Sequence, residues 1–208
     1  MSTTEFAREP LPARILRKAR ALFGPTGMFM KGFAKNPVMV GAIVPSSQRT
    51  IARVLSPVDW DNARVFVEYG PGVGTFCRPV LDRLRRDGIL IAIDTNPDFI
   101  AYLQATIHDA RFCAVLGSAA DVGEIIAARG FVQADYVLSG LPFSTLPPGT
   151  AAAIMAATSR VLRPGGAFLV YQYTRFARRL MQQYFPRVDN GFEPRNVPPC
   201  VIGWGWKD

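Results

Sequence analysis

After Arg64 the chain alternates short, unbroken apolar runs with longer segments of mixed polarity. Val65-Phe66-Val67 stops at a glycine turn, Ile89 to Ile93 stops at Asp94, and Phe112 to Leu116 stops at Gly117. Tyr136-Val137-Leu138 stops at Ser139, and Ala167 to Tyr171 follows Pro164-Gly165-Gly166. Such bounded runs predict five strands. Residues 75–87, 97–107, 121–129 and 147–162 have helical length and lie between them. The order βαβαβαβαβ predicts a mostly parallel sheet. Strands apolar at every position imply helices on both faces. Further on, Thr174 to Phe185 predicts a helix, and Arg187–Arg195 and Cys200–Trp206 predict two last strands divided by Pro198-Pro199. In the final strand Ile202, Trp204 and Trp206 share one face, while Val201, Gly203 and Gly205 share the other, where glycine permits close backbone approach. The expected fold is α/β: a seven-stranded, mostly parallel sheet with an antiparallel carboxyl-terminal strand.

The first 35 residues follow a different period. At 100° per residue, Leu11, Ile15, Leu16, Ala19, Leu22 and Phe23 fall on an arc of about 140°, with Arg14, Arg17, Lys18 and Arg20 on the other side. An amphipathic helix with an arginine-rich polar face suits an anionic membrane interface, each basic residue adding about 1 kcal/mol near the surface. The same pattern also describes a helix packed on a domain with a solvated basic face. Gly24-Pro25 ends that helix, and Met28, Phe29, Met30 and Phe33 then form a lid or a shallow anchor. We therefore divide the chain into a basic amphipathic extension, 1–35, and a main domain, 36–208.

Composition supports an ordered, single main domain: 49% of the 208 residues are hydrophobic and 19% charged. The net charge is +8 with a pI near 9.9, which points to an anionic partner, either nucleic acid or an acidic membrane. The excess lies at the ends: residues 1–35 carry +5, residues 36–159 carry −2, and residues 160–208 carry +5. Arg175, Arg178 and Arg179 in the late helix are candidates to extend the same surface. Cys77, Cys113 and Cys200 form no C-x-x-C pair and no disulfide framework, which fits a reducing compartment. The lone His108 reads as a solvated loop residue, and no metal site is expected. Glu5, Arg8 and Glu9 precede any apolar run, so no secretory signal is predicted. Tyr136 to Ser159 lacks charge over 24 residues, but Pro142, Pro147 and Pro148 with Gly140 and Gly149 would break a spanning helix. A cytoplasmic protein, peripherally associated with a membrane, is the expectation.

The first strand ends in Glu68-Tyr69-Gly70-Pro71-Gly72-Val73-Gly74-Thr75, and Asp94 ends the second. Glycines there allow a tight turn near a ligand, and a carboxylate at the next strand tip can bind two ribose hydroxyls. A nucleoside cofactor is implied. A dinucleotide fingerprint would need a third glycine where Thr75 stands. The G-x-G-x-G turn after an acidic residue instead resembles motif I of class I S-adenosylmethionine-dependent methyltransferases. That resemblance implies a Rossmann-like fold and makes Glu68, Gly70, Gly72, Gly74, Asp94 and Thr95 cofactor-binding, with Asp94 on the ribose and Glu68 supporting the loop around the methionine portion. After the third strand, Ser118 with Ala119 takes the place beside adenine, where the family usually has a polar or acidic residue, while Asp121 caps the next helix.

At the tip of the fourth strand stands Ser139-Gly140-Leu141-Pro142-Phe143. In methyltransferases of amino groups a short loop here faces the sulfonium methyl. Methyl transfer is an in-line displacement, so the enzyme has to hold a neutral amine lone pair about 3 Å from the methyl. Carbonyl groups and Ser139 are candidates to orient the amine. Phe143 either faces the growing positive charge, a contact of about 0.5–2 kcal/mol, or plugs the core. The loop resembles the N-L-P-F loop of ribosomal RNA adenine dimethyltransferases, with Gly140 in place of the asparagine. The S-G-L-P form is more similar to the bacterial phospholipid N-methyltransferase family, as are Asn36-Pro37 to Ser46-Ser47, matching N-P-x-x-x-G-A-x-x-P-[ST]-S, and Arg195-Asn196-Val197-Pro198-Pro199, matching R-N-x-P-P.

This second resemblance implies stepwise N-methylation of phosphatidylethanolamine through monomethyl and dimethyl forms to phosphatidylcholine, with S-adenosylhomocysteine as co-product. It implies acceptor roles for Ser139, Gly140, Leu141, Pro142, Phe143 and Tyr173, and headgroup contacts for Tyr171 and Arg195. Arg195 either holds the lipid phosphate or bonds the last strands. Asp98 is a candidate proton acceptor, beside simple desolvation. The implied partners are phosphatidylethanolamine, its methylated derivatives and an anionic membrane surface met by Arg14, Arg17, Lys18 and Arg20, with no nucleic acid. The rival readings are an RNA adenine methyltransferase, whose basic ends would contact phosphates, and a membrane- or RNA-binding module without turnover.

Overall fold

Helices cover both faces of a seven-stranded sheet, which is why its central strands are buried from end to end. The computed structural model describes residues 47–172, 176–196 and 199–208. The basic side chains Arg14, Arg17, Lys18 and Arg20, the boundary at residue 35, most of the Asn36–Ser47 segment, and Tyr173 lie outside them. Strands β1 (Val65–Tyr69) and β4 (Ala134–Ser139) are buried at every position. They form the centre of the order β3-β2-β1-β4-β5-β7-β6, where β2 is Ile89–Asp94, β3 Phe112–Leu116, β5 Leu162–Gln172, β6 Arg187–Glu193 and β7 Cys200–Trp206. Strands β1 to β5 pair in parallel, and β7 lies between β5 and β6, antiparallel to both. The expected Rossmann-like topology is present.

Alternate residues face opposite layers. Val65, Val67, Tyr69, Val137, Phe168 and Val170 pack against α4 (Val122–Ala127), α5 (Thr150–Val161) and α6 (Phe176–Met181). Phe66, Leu90, Ala92, Tyr136, Leu138 and Leu169 pack against α1 (Gln48–Val54), α2 (Cys77–Leu81) and α3 (Pro97–Thr106). Chain order reverses between β1 and β4, so their carboxyl ends open the crevice where ligands bind in sheets of this kind.

Several helices are shorter than their sequence segments. The 75–87 segment is helical only over α2, and the Arg111 guanidinium donates to the Leu84 (2.7 Å) and Arg85 (3.3 Å) carbonyls in the turns that follow. Asp121 stands at the start of α4 but its side chain caps nothing; Ser118 Oγ accepts Ala120 N–H instead, capping the 3-10 turn Ala119–Asp121. The glycine face of β7 does meet a close neighbour: a Cβ on Gly205 would lie 2.8 Å from Phe185.

At the opposite edge from the crevice, Asp135 ties three segments together. Its buried carboxylate accepts the Arg64 (2.8 Å) and Val65 (2.7 Å) N–H groups and pairs with Arg163. Asp135→Ala leaves two backbone donors without their acceptor and is expected to cost about 2–4 kcal/mol, read as a lower urea midpoint at unchanged slope.

Candidate functional site

The chain leaves β1 through a turn that only glycine adopts easily: Gly70, Gly72 and Gly74 have φ of 60°, 55° and 78°. Gly70 N–H donates to Ile93 O (2.9 Å), which fastens the turn to the end of β2, and Gly74 N–H closes it on Pro71 O (2.9 Å). The Asp94 carboxylate accepts from the backbone N–H groups of Asn96 (2.9 Å), Gly72 and Thr95. One carboxylate therefore joins the glycine turn to the start of α3. Register brings the remaining tips alongside: Asp94 stands opposite Leu116, Tyr69 opposite Ser139, and Ser139 opposite Val170.

Beneath the turn, Glu68 is buried and receives a hydrogen bond from the Cys77 thiol (Sγ to Oε2, 3.2 Å). Burial pushes its carboxyl up to about 7, the thiol's hydrogen bond opposing and the nearby Asp94 charge reinforcing. Cys77 is pushed upward by burial and by the same carboxylate, so it stays a thiol. Asp94 is also raised, chiefly by burial, against the three N–H donors.

The loop after β4 lies directly on this turn. A Cβ on Gly70 would be 2.8 Å from the Leu141 side chain, and Gly140 N–H donates to Tyr69 O (3.2 Å). Tyr171, near the end of β5, reaches across: a Cβ on Gly140 would be 2.5 Å from the Tyr171 hydroxyl and 3.5 Å from Gly70 O. Its ring is fixed against Phe76, centroids 4.6 Å apart. Ser139 is buried, and its hydroxyl oxygen accepts Leu141 N–H (3.2 Å). Gln172 donates to Leu141 O, which also accepts Phe143 N–H (2.9 Å).

Over 179 residues, 83% of this chain and 91% of its relative, the sequence is 34% identical to an ornithine lipid N-methyltransferase from Singulisphaera acidiphila. The chain belongs to the class I S-adenosylmethionine-dependent methyltransferases. Residues 66–166 match the family described as "Methyltransferase domain". A precorrin-6y C5,15-methyltransferase from Geobacter metallireducens shares the fold, with a TM-score of 0.64 over 78% of this chain and 89% of that one at 16% identity. The ribosomal RNA small subunit methyltransferase H of Cupriavidus pinatubonensis is 44% identical over 73 residues, 35% of this chain and 22% of that protein.

The donor set of this methyltransferase suits S-adenosylmethionine in kind. Asp94 offers a carboxylate at the β2 tip, Ser118 and Ala119 stand after β3, and the glycine turn lies between the β2 tip and the loop after β4. Among the described residues no cluster of three His, Cys, Asp or Glu side chains is placed to hold a metal ion.

One acceptor assignment needs correction. Phe143 is a core residue, 2% exposed and edge-on to Phe168 at 6.3 Å, so its ring anchors the loop. Ser139 Oγ accepts Leu141 N–H, and the Leu141 carbonyl accepts from Gln172 and Phe143, all within the loop and its support. Pro142 is exposed at the loop's crest. Arg195 is exposed on the turn after β6, where its N–H donates to Glu193 Oε1 (3.1 Å). Thr95 and Asp98 are exposed, Thr95 contributing its backbone N–H to Asp94. Cys77, Phe76 and Gln172 were not anticipated. Gln172 had one signal, an amide at the end of an otherwise apolar strand.

The raised Glu68 carboxyl sets a pH dependence. Between about 4.5 and 7 the unfolded chain has released this proton while the folded protein holds it, so its contribution to stability is lost as pH rises through 7. Glu68→Gln should flatten that slope, on the order of 3 kcal/mol across the window. The check is the melting temperature of the cofactor-free protein and its variant from pH 5 to 8.

Proposed function

We propose that this methyltransferase acts on the primary amine of a membrane-lipid headgroup, and that phosphatidylethanolamine is methylated stepwise through its monomethyl and dimethyl forms to phosphatidylcholine. The observation that carries the reading is the Tyr171 phenol lying over Gly140 at the junction of the two loops. The donor supplies a sulfonium methyl, whose departure leaves a neutral thioether. The chain's own task is to hold a flexible amine in line with it. Tyr171 provides a hydroxyl, its ring held by a tilted contact with Phe76, beside which an amine N–H can be oriented. The half-buried apolar edge of Leu141 lowers the local polarity, which favours the neutral, nucleophilic amine over ammonium. Gly70, Gly72, Gly74 and Asp94 would hold the donor.

A side chain at position 140 would collide with the Tyr171 hydroxyl, so an asparagine there has no room while Tyr171 keeps this position. This weighs against an RNA adenine acceptor, and the Cupriavidus relative matches over only 22% of its length. The Singulisphaera relative, which acts on an ornithine lipid by name, supports a lipid amine and makes ornithine lipid the second acceptor to test. Residues 1–35 would dock the protein on the cytoplasmic face of the inner membrane through Arg14, Arg17, Lys18 and Arg20. Among the described residues no helix is long and apolar enough to cross a membrane.

Labelled S-adenosylmethionine offered with phosphatidylethanolamine vesicles, ornithine lipid vesicles or RNA tests the reading. Label is expected in lipid, and label confined to RNA would overturn it. Gly140→Ala should lower lipid kcat by about tenfold or more at nearly unchanged donor affinity. Reversing Arg14, Arg17, Lys18 and Arg20 to Glu should abolish sedimentation with anionic vesicles, as expected from about 1 kcal/mol per basic residue. Asp94→Ala should have the opposite defect, sedimenting normally but failing to bind the donor in calorimetry.

A further inference from the structure

Consecutive residues at the end of β5 point to opposite faces of the sheet and close on the same loop. Tyr171 packs in the layer of Phe76, and its hydroxyl fills the space beside Gly140. Gln172 points the other way, into the layer where Leu141 packs, and its Nε2 donates to Leu141 O. It is 8% exposed and follows the buried apolar run 167–170. The loop after β4 is thus straddled by two neighbouring side chains.

The Leu141 oxygen does not need Gln172 for its satisfaction, because it already accepts Phe143 N–H (2.9 Å). What the carboxamide adds is a tie between β5 and the loop. Leucine in its place would fill similar space and tie nothing. Leu141 passes the constraint on: its side chain lies 2.8 Å from where a Cβ on Gly70 would stand, so the loop bears directly on the donor turn. A chain of contacts therefore runs from Gln172 through Leu141 to Gly70. In-line transfer is sensitive to such placement, about 1 Å of error costing on the order of 100-fold in rate.

We propose that Gln172 is a positioning residue: acting through Leu141, its carboxamide fixes the acceptor loop on the donor turn and so aligns the acceptor with the methyl. This rests on the reading above of that loop as the acceptor's side, whichever lipid amine fills it.

The full chain is assayed with phosphatidylethanolamine vesicles and, free of donor, by amide hydrogen exchange. Gln172→Leu should lower kcat about tenfold or more, with lipid KM and donor Kd within about twofold, and should speed exchange in residues 140–145. Gln172→Glu supplies a signature that destabilisation alone would not. Its carboxylate sets oxygen against the Leu141 oxygen, and once protonated it donates again. Taken as a ratio to the unaltered protein at each pH, its kcat should rise as pH falls from about 9 to about 6, because burial raises a carboxyl. Asp135→Ala, far from the crevice, should lose stability with neither kcat nor exchange at 140–145 changed. An unchanged kcat or unchanged loop exchange in Gln172→Leu, an equal loss in Asp135→Ala, or a flat pH ratio in Gln172→Glu overturns the inference alone. If Gln172→Leu does not fold, the pH ratio decides. If the unaltered protein labels no lipid, the lipid-amine reading falls, and the exchange comparison still upholds or overturns the hold of Gln172 on the loop.

Discussion

The site depends on two loops packed so closely that neither Gly70 nor Gly140 has room for a Cβ. At Gly70 the space for a Cβ belongs to Leu141, and at Gly140 it belongs to the Tyr171 hydroxyl. Three strand ends, β1, β4 and β5, are thereby held side by side, and the sheet's register supplies the alignment. Everything around this contact serves it. Ser139 shapes the acceptor loop from below, Gln172 grips it from the side, and Phe143 sinks its far end into the core.

Electrostatics beneath the contact follow from the same packing. Glu68 occupies a buried strand position that faces the helical layer, and the Cys77 thiol donates a hydrogen bond to its carboxylate. A carboxyl poised near neutrality is the outcome of placing an acid inside an apolar strand next to Asp94. The neighbouring Asp94, half-buried and fed by three backbone donors, is the more polar of the two.

Strand positions and the cofactor turn were legible because they depend on local signals: apolar runs with sharp ends, and glycines where φ must be positive. The acceptor loop was legible as a location but not as a set of roles. Phe143 follows a proline in an irregular turn, where no period says which way a ring points, and the core claimed it. Tyr171 and Gly140 are 31 positions apart, and their interlock is visible only in space. The R-N-x-P-P segment stood out as a pattern, yet Arg195 drew attention while its neighbour Asn196 carries the buried bonds, to a threonine 146 residues away. The helix ends were not legible for a similar reason, since the turns after α2 are bonded by Arg111, distant in sequence.

The placement of β7 between β5 and β6 bears on the order of assembly during synthesis. The strands that carry the glycine turn, Asp94 and the acceptor loop all precede it in the chain, and can pair with one another as they emerge. The β6 strand cannot reach its final place until β7 has been made, because it bonds the sheet only through that strand, and the bond from Trp204 to Val54 O at the end of α1 forms then too. Contacts this distant in sequence form slowly. A nascent chain can therefore bring both loops of its crevice together before the last strand pairs beside β5.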